Sequence, residues 1–455
     1  MKVYPYYPIP AETKVSSFMT LFKKNRSWLD GLYARSYTMK MGHVKMLNSG
    51  LYIPNEPELI HRILVSDAKN FPKNRVLHEV LVPLLGDSIF TTNNNIWRKQ
   101  RNLLTPSFEK KKVQSIFNMM QDAATDMMKR LEKFSDGKYH NIDNEMSFVT
   151  ADTIFRTILS STLSEKEGTA VVEAFVVFQE MSARIGMQRL FLIPKIFRLG
   201  SDKKYQESGA IIRGVLADII RPRYEAVTQN KEDNHHDILA SLLKGIDEDT
   251  GKPFPFKEIL DQIAMLFLAG HETTASSMTW SLYLLALYPQ HQEEAYQEVI
   301  NECSSGLFTL ENIQNLKFVS NVFKEALRLY PPVSSLARES AIDTKIRDKE
   351  VKKGSHIVVS PWLMHRNERY WEDPHMFNPS RFDNPKNITK NTYFPFGLGQ
   401  RICIGSGFAS QESILLLATI LREYKVELQP NFTPDLVGRL TTRSVNGMYI
   451  KLIKR

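Results

Sequence analysis

The chain has 455 residues, 42% hydrophobic and 24% charged, an ordinary globular balance with ample length for a large core. Its formal net charge is +9, but Lys and Arg are scattered and no nucleic-acid-binding motif occurs, which argues against DNA or RNA as the partner. Cys303 and Cys403 are the only two cysteines, so a disulfide framework and a Cys-rich zinc site are excluded and a reducing compartment is expected.

The N-terminal stretch 1–10 is rich in Pro and Tyr and has no long apolar run. Neither a signal peptide nor a membrane anchor is expected there, and the protein reads as cytoplasmic and monomeric. Residues 16–37 read as helix. Residues 40–46 and 51–54 read as short strands around Asn48-Ser49-Gly50, a hairpin, and 56–67 as a helix starting at a Pro-flanked turn. Helical periodicity then continues through 110–134, 150–161, 167–185 and 201–228, with an unusually apolar connection at 190–197 that reads as a loop packed on the core or as a lid. The segment 344–360, with Lys353-Gly354 as turn, reads as sheet. No repeat or Gly/Ser linker interrupts the chain. One two-lobed unit over 1–455 is expected, with a β-rich lobe mainly from 38–70 and 338–362 and a helical body from the rest.

Several stretches carry chemistry. Trp97 and Arg101 are four apart, so on a helix they share a face and offer two donors to one carboxylate; an ordinary surface pair is the plainer alternative. Residues 257–288 lie between Pro255 and Pro289 and form the longest helical pattern, roughly 48 Å at ~1.5 Å per residue. Inside it stands Ala269-Gly270-His271-Glu272-Thr273-Thr274. The glycine suits a close helix crossing or the approach of a ligand, and a hydroxyl beside a carboxylate makes a proton relay. Glu325 and Arg328 fall at i, i+3 before Pro331-Pro332, a pair worth little if exposed. Finally Phe396-Gly-Leu-Gly-Gln-Arg-Ile-Cys-Ile-Gly405 sets Cys403 among glycines just ahead of an apolar helical run at 408–424. Helix N-termini favour thiolate, the form that binds a soft metal.

The pattern Phe396-x-x-Gly399-x-Arg401-x-Cys403-x-Gly405 resembles the haem-binding loop of the cytochrome P450 family, and the other motifs follow in that family's order. The resemblance implies a mainly α fold with a small β-rich lobe, holding haem b (iron protoporphyrin IX) between the long central helix and the cysteine-loop helix. It implies Cys403 as the thiolate ligand of the iron, with Phe396 and Gly405 in the haem loop. Trp97, Arg101, Arg338 and Arg401 would bind the haem's anionic groups. Glu272 and Thr273 would handle protons, and Glu325, Arg328 and Arg381 would form a structural network that seats the loop. The activity implied is a monooxygenase using O2.

Closest in pattern are the bacterial long-chain fatty-acid hydroxylases, in which the position of Phe90, in Gly86-Asp-Ser-Ile-Phe90, holds an aromatic over the haem. Phe90, Ala264, Phe267, Leu268, Ala269, Val333 and Leu336 are the candidate pocket residues, apolar enough for a fatty acid, terpene or steroid. Those hydroxylases often carry a fused flavin reductase, whereas this sequence stops at Arg455. A separate ferredoxin or flavodoxin with its reductase is therefore expected to dock on a basic face around Arg98, Lys99 and Lys110 to Lys112. Ser444 follows Arg443 where many relatives have proline. The rival readings are a peroxide-using or isomerase-type relative and a non-enzymatic haem sensor.

Overall fold

In the computed structural model, residues 3–14, 27–45, 50–162, 165–190 and 201–455 are described. In chain order the elements used below are strands β1 (Met41–Lys45) and β2 (Gly50–Pro54), then helices α1 (Arg75–Leu85), α2 (Asn94–Leu104), α3 (Ile142–Leu159), α4 (Glu165–Leu190), α5 (Ser201–Thr228), α6 (Phe256–Leu287) and α7 (Lys317–Leu329). Strands β3 (Leu336–Glu339) and β4 (His356–Val359) and helix α8 (Ser406–Glu423) complete the set. The chain forms two compact units. One comprises Met1–Phe71, Gln121–Val149 and Thr273–Arg455, the other Pro72–Met120 and Thr150–Glu272.

In the first unit, alternate residues of β2 are buried, as a strand with one covered face requires. β2 pairs antiparallel with β1 (Met41 opposite Pro54) and parallel with β4 (Leu51 opposite His356), and β3 adds antiparallel to β4 (Leu336 opposite Val359). Tyr52, Ile357 and Val359 of this sheet join Ile60, Ile63, Leu64, Phe71, Met364 and Phe394 in one apolar core, with Leu398 of the cysteine loop packed on it. A second sheet places Tyr449–Lys454 between His140–Asn141 and Tyr424–Leu428. α7 buries Val319, Val322, Phe323, Ala326, Leu327 and Leu329 on its apolar stripe.

The second unit is helical, with α1, α2, α4, α5 and the first half of α6 as its main elements. α6 is 32 residues long. It is bounded by Pro255 and Pro289, because proline cannot donate to a helix and disfavours helical geometry in the residue before it. Gly270 marks a close approach of α3: a Cβ there would collide with the Ile154 side chain. Among the described residues no helix is long and apolar enough to cross a membrane.

Some expected elements come out differently. Of the helix expected over 16–37, residues 16–26 lie outside the described residues, and the rest is not one helix. Trp28–Gly31 is a 3-10 turn capped by Ser27, and Ala34–Thr38 is a separate α-turn. Tyr33 between them is extended because it bridges to Ala11, with the Ala34 N–H on the Ala11 carbonyl at 2.8 Å. The helix expected over 110–134 breaks at Ile116 into Lys110–Ser115 and Phe117–Leu131. That over 56–67 widens after His61 into a π turn, Arg62–Ser66. Asn48 and Ser49 of the hairpin, and all of the 190–197 connection after Leu190, lie outside the described residues.

Candidate active site

The cysteine loop is shaped by its own backbone. Gly397 and Gly399 have φ of +78° and +70°, values that residues with a Cβ rarely adopt. At Gly399 space also forbids a side chain, since a Cβ would strike the Leu64 carbonyl oxygen. The Cys403 N–H donates to the Phe396 carbonyl at 2.8 Å, which closes the loop. Cys403 is exposed on it, two residues before Gly405, the N-cap of α8. Arg401 is half-buried in the same loop.

Behind the loop, Glu325 and Arg328 of α7 are both 0% exposed, so their pair is not the weak surface pair that spacing alone suggests. Arg328 Nε and Nη2 donate to the two Glu325 oxygens at 2.7 and 2.8 Å. Its remaining N–H groups reach the carbonyls of His365 (2.8 Å), Pro374 (2.7 Å) and Met376 (3.0 Å). Arg381 adds its Nε to Glu325 at 3.3 Å, and the Asn378 N–H does so at 3.0 Å. Burial, then the Arg328 and Arg366 charges, push the His365 imidazole well below its usual range. The neutral ring accepts the Phe394 N–H on Nε2 at 3.0 Å. A continuous path of hydrogen bonds thus runs from α7 through His365 to the residue two before Phe396. His365 was not a sequence candidate, because nothing local marks it.

On β3, opposite Ile357, stands Arg338. Its guanidinium is buried, which pushes its pKa down to about 10, and Nη1 donates to the Ala337 carbonyl at 2.9 Å. Val333 and Leu336 are half-buried nearby in sequence.

In the second unit, Trp97 is buried on α2 and Arg101 half-buried one turn later. On α6, Ala264, Phe267 and Leu268 are buried and Ala269 half-buried. The Phe267 ring packs edge-on against Phe155 at 5.5 Å and stacks on His271 at 4.5 Å. His271 Nδ1 donates to the Phe267 carbonyl at 2.8 Å, which fixes the proton on that nitrogen. Glu272 is buried, and its carboxylate accepts a hydrogen bond from the Gln179 side chain of α4, with His271 Nε2 3.9 Å away. Gln179 was missed in the sequence, where 93 positions separate it from Glu272. Thr273, half-buried, is the first α6 residue of the other unit.

The basic stretch expected to form a docking face is partly engaged. Lys99 Nζ pairs with Asp249 at 2.5 Å and Asp247 at 3.4 Å, and the Asp249 hydrogen bond holds its pKa above the usual range. Lys112 Nζ donates to the His236 carbonyl at 2.8 Å. Arg98, Lys110 and Lys111 remain exposed.

The residues present fit a haem. The loop offers a soft sulfur donor outward from a rigid turn, and the desolvated Arg338 cation on the same unit suits an anionic partner such as a propionate. Ligation through cysteine on such a fold defines a haem-thiolate protein. The chain belongs to the cytochrome P450 family, whose model (Cytochrome P450) matches residues 13–447. It is similar to human cytochrome P450 4V2, with 28% identity over 412 residues, 86% of this chain and 78% of that protein. It is also similar to secologanin synthase 1 of Catharanthus roseus, at 30% identity over 87% of this chain and 77% of that protein. Cytochrome P450 4A14 of Rattus norvegicus is 28% identical over 88% and 80%. The protein is a haem-dependent P450 monooxygenase. These relatives are eukaryotic, so they support the family and not the finer likeness to bacterial fatty-acid hydroxylases expected from the sequence.

Proposed function

We propose that this P450 hydroxylates a lipophilic small molecule of fatty-acid, terpene or steroid type, with electrons from a separate protein. The balance is R–H + O2 + 2e⁻ + 2H⁺ → R–OH + H2O. The observation that carries the reading is the acid–hydroxyl pair Glu272–Thr273 at the middle of α6, with the Glu272 carboxylate buried and held by Gln179. Peroxide-using and isomerase-type reactions need no such proton supply. When bound, the haem supplies O2 activation with Cys403 as its thiolate ligand. The chain's own tasks are then to deliver protons, orient the substrate and exclude water. In this reading Glu272 passes protons inward through Thr273, Trp97, Arg101, Arg338 and Arg401 hold the haem's carboxylates, and Phe90, Ala264, Phe267, Leu268, Ala269, Val333 and Leu336 present apolar surface to the substrate. The similarity to secologanin synthase 1, which by its name makes a small molecule, supports a small-molecule product, and the place of Phe90 supports a long apolar chain.

The test is coupling. Positioned acid–base groups typically contribute roughly 10²- to 10⁴-fold. Thr273→Ala should therefore keep haem content and the substrate-induced optical shift, while product per electron collapses and peroxide rises. Unchanged coupling in Thr273→Ala and Glu272→Gln would remove the proton role.

The net charge of +9 and the exposed Arg98, Lys110 and Lys111 favour an acidic donor of ferredoxin or flavodoxin type. Exposed charges act mainly on encounter rate and are screened over ~10 Å at 0.1 M salt. Lys111→Glu, or raised ionic strength, should slow reduction by such a donor without changing substrate affinity. Reduction rates indifferent to both treatments would refute this docking face.

A further inference from the structure

The turn that carries Phe90 is pinned at one polar atom after another. The Asp87 N–H donates to Asp261 and the Ile89 N–H to Gln262, both at 3.0 Å and both onto α6. From α2, Gln100 donates to the Asp87 carbonyl at 2.6 Å and accepts the Thr92 hydroxyl at 2.6 Å. Thr91 Oγ1 accepts the Ser88 N–H at 2.9 Å and donates to the Gly86 carbonyl at 2.8 Å. Phe90 is the turn's half-buried tip, and both its carbonyl and its ring go to one group. Lys73 Nζ donates to the Phe90 carbonyl at 2.6 Å and lies 3.7 Å from the centroid of its ring.

Lys73 is itself clasped. Its N–H donates to Asn93 Oδ1 at 3.0 Å, and Asn93 Nδ2 donates back to its carbonyl at 3.2 Å. The ammonium therefore hangs from a fixed backbone. A cation that binds a residue's own carbonyl and the face of its ring together admits only side-chain rotamers that turn that face toward it. Loss of the charge gives up the bond to the Phe90 carbonyl but leaves the pins on Gly86, Asp87 and Ile89 in place, and it frees the ring to sample other staggered wells.

We infer that Lys73 is a positioning residue which sets the orientation of the Phe90 ring, and through it the carbon of a long apolar substrate that is oxidised. The inference rests on the reading of Phe90 as a substrate-facing residue, and two separate measurements keep the two apart.

The first measurement needs no turnover. 4-Fluorophenylalanine placed at position 90 of the haem-loaded protein should give one narrow 19F resonance. In Lys73→Met that resonance should shift by more than its linewidth or split, because the cation leaves the ring face, whereas Lys73→Arg should retain the native line. A line unmoved in Lys73→Met overturns the inference, whatever the substrate. The second is product distribution across fatty-acid, terpene and steroid probes. Lys73→Met should shift it in the direction that Phe90→Ala does, and should add nothing in the Phe90→Ala background. Additive shifts would mean that Lys73 meets the substrate directly, and would overturn the inference. A Phe90→Ala variant with native products, alongside a moved 19F line, would sink the reading of Phe90 and with it the link from Lys73 to selectivity.

Discussion

Replacing Cys403 by histidine is expected to abolish the strongly red-shifted absorption of the reduced CO complex and, with it, monooxygenase turnover. The loop leaves little room for a substitute. Its ends are tied by the Cys403 N–H on the Phe396 carbonyl, and Gly399 is pressed against the Leu64 backbone, so the turn cannot shift to seat a longer ring. An imidazole is also a neutral donor, whereas a Cys403 thiolate would give a bound haem an anionic sulfur ligand that favours O2 activation. Cys303 makes the internal control. Its sulfur lies 3.3 Å from the Ser305 carbonyl and 3.7 Å from Arg422, and Cys303→Ser should leave the spectrum native. A wild-type CO spectrum of the imidazole type would sink the assignment of Cys403.

The second large effect is expected on folding. Removing one partner of a buried ion pair typically costs about 3–5 kcal/mol, against a total stability of about 5–15 kcal/mol for a domain. The Arg328→Ala change goes further than the pair. It takes the 2.7 Å bond from Glu325 Oε2 at 0% exposure, leaving Arg381 and the Asn378 N–H on Oε1, and it orphans the carbonyls of His365, Pro374 and Met376, each of which then pays desolvation without that donor. Arg328→Lys should not rescue it, because one ammonium cannot reproduce the fork that serves five acceptors. Since the same network continues through His365 to Phe394, haem retention should fall together with the denaturant midpoint. A soluble Arg328→Ala protein with native midpoint and haem content would refute this role.

The parts of this protein that local chemistry dictates were legible in its sequence. Pro255 and Pro289 bound α6 because a proline acts on its own and the preceding residue, and the cysteine loop announces itself because positive φ demands glycine at Gly397 and Gly399. Glu325 and Arg328 could be placed on one helical face by spacing. Their worth could not, since an i, i+3 pair looks the same in water as in a core, and only the segment from His365 to Arg381 folding over α7 removes them from solvent. Tertiary structure likewise decided that the segment before β1 is broken, because Tyr33 found Ala11 as a strand partner. It decided that Lys99 faces Asp247 and Asp249, that Gln179 holds Glu272, and that Lys73 covers Phe90. Each of these joins groups whose separation along the chain carries no periodic signal, so their meeting is set by how helices pack, which is a property of the whole set of apolar faces rather than of any one stretch.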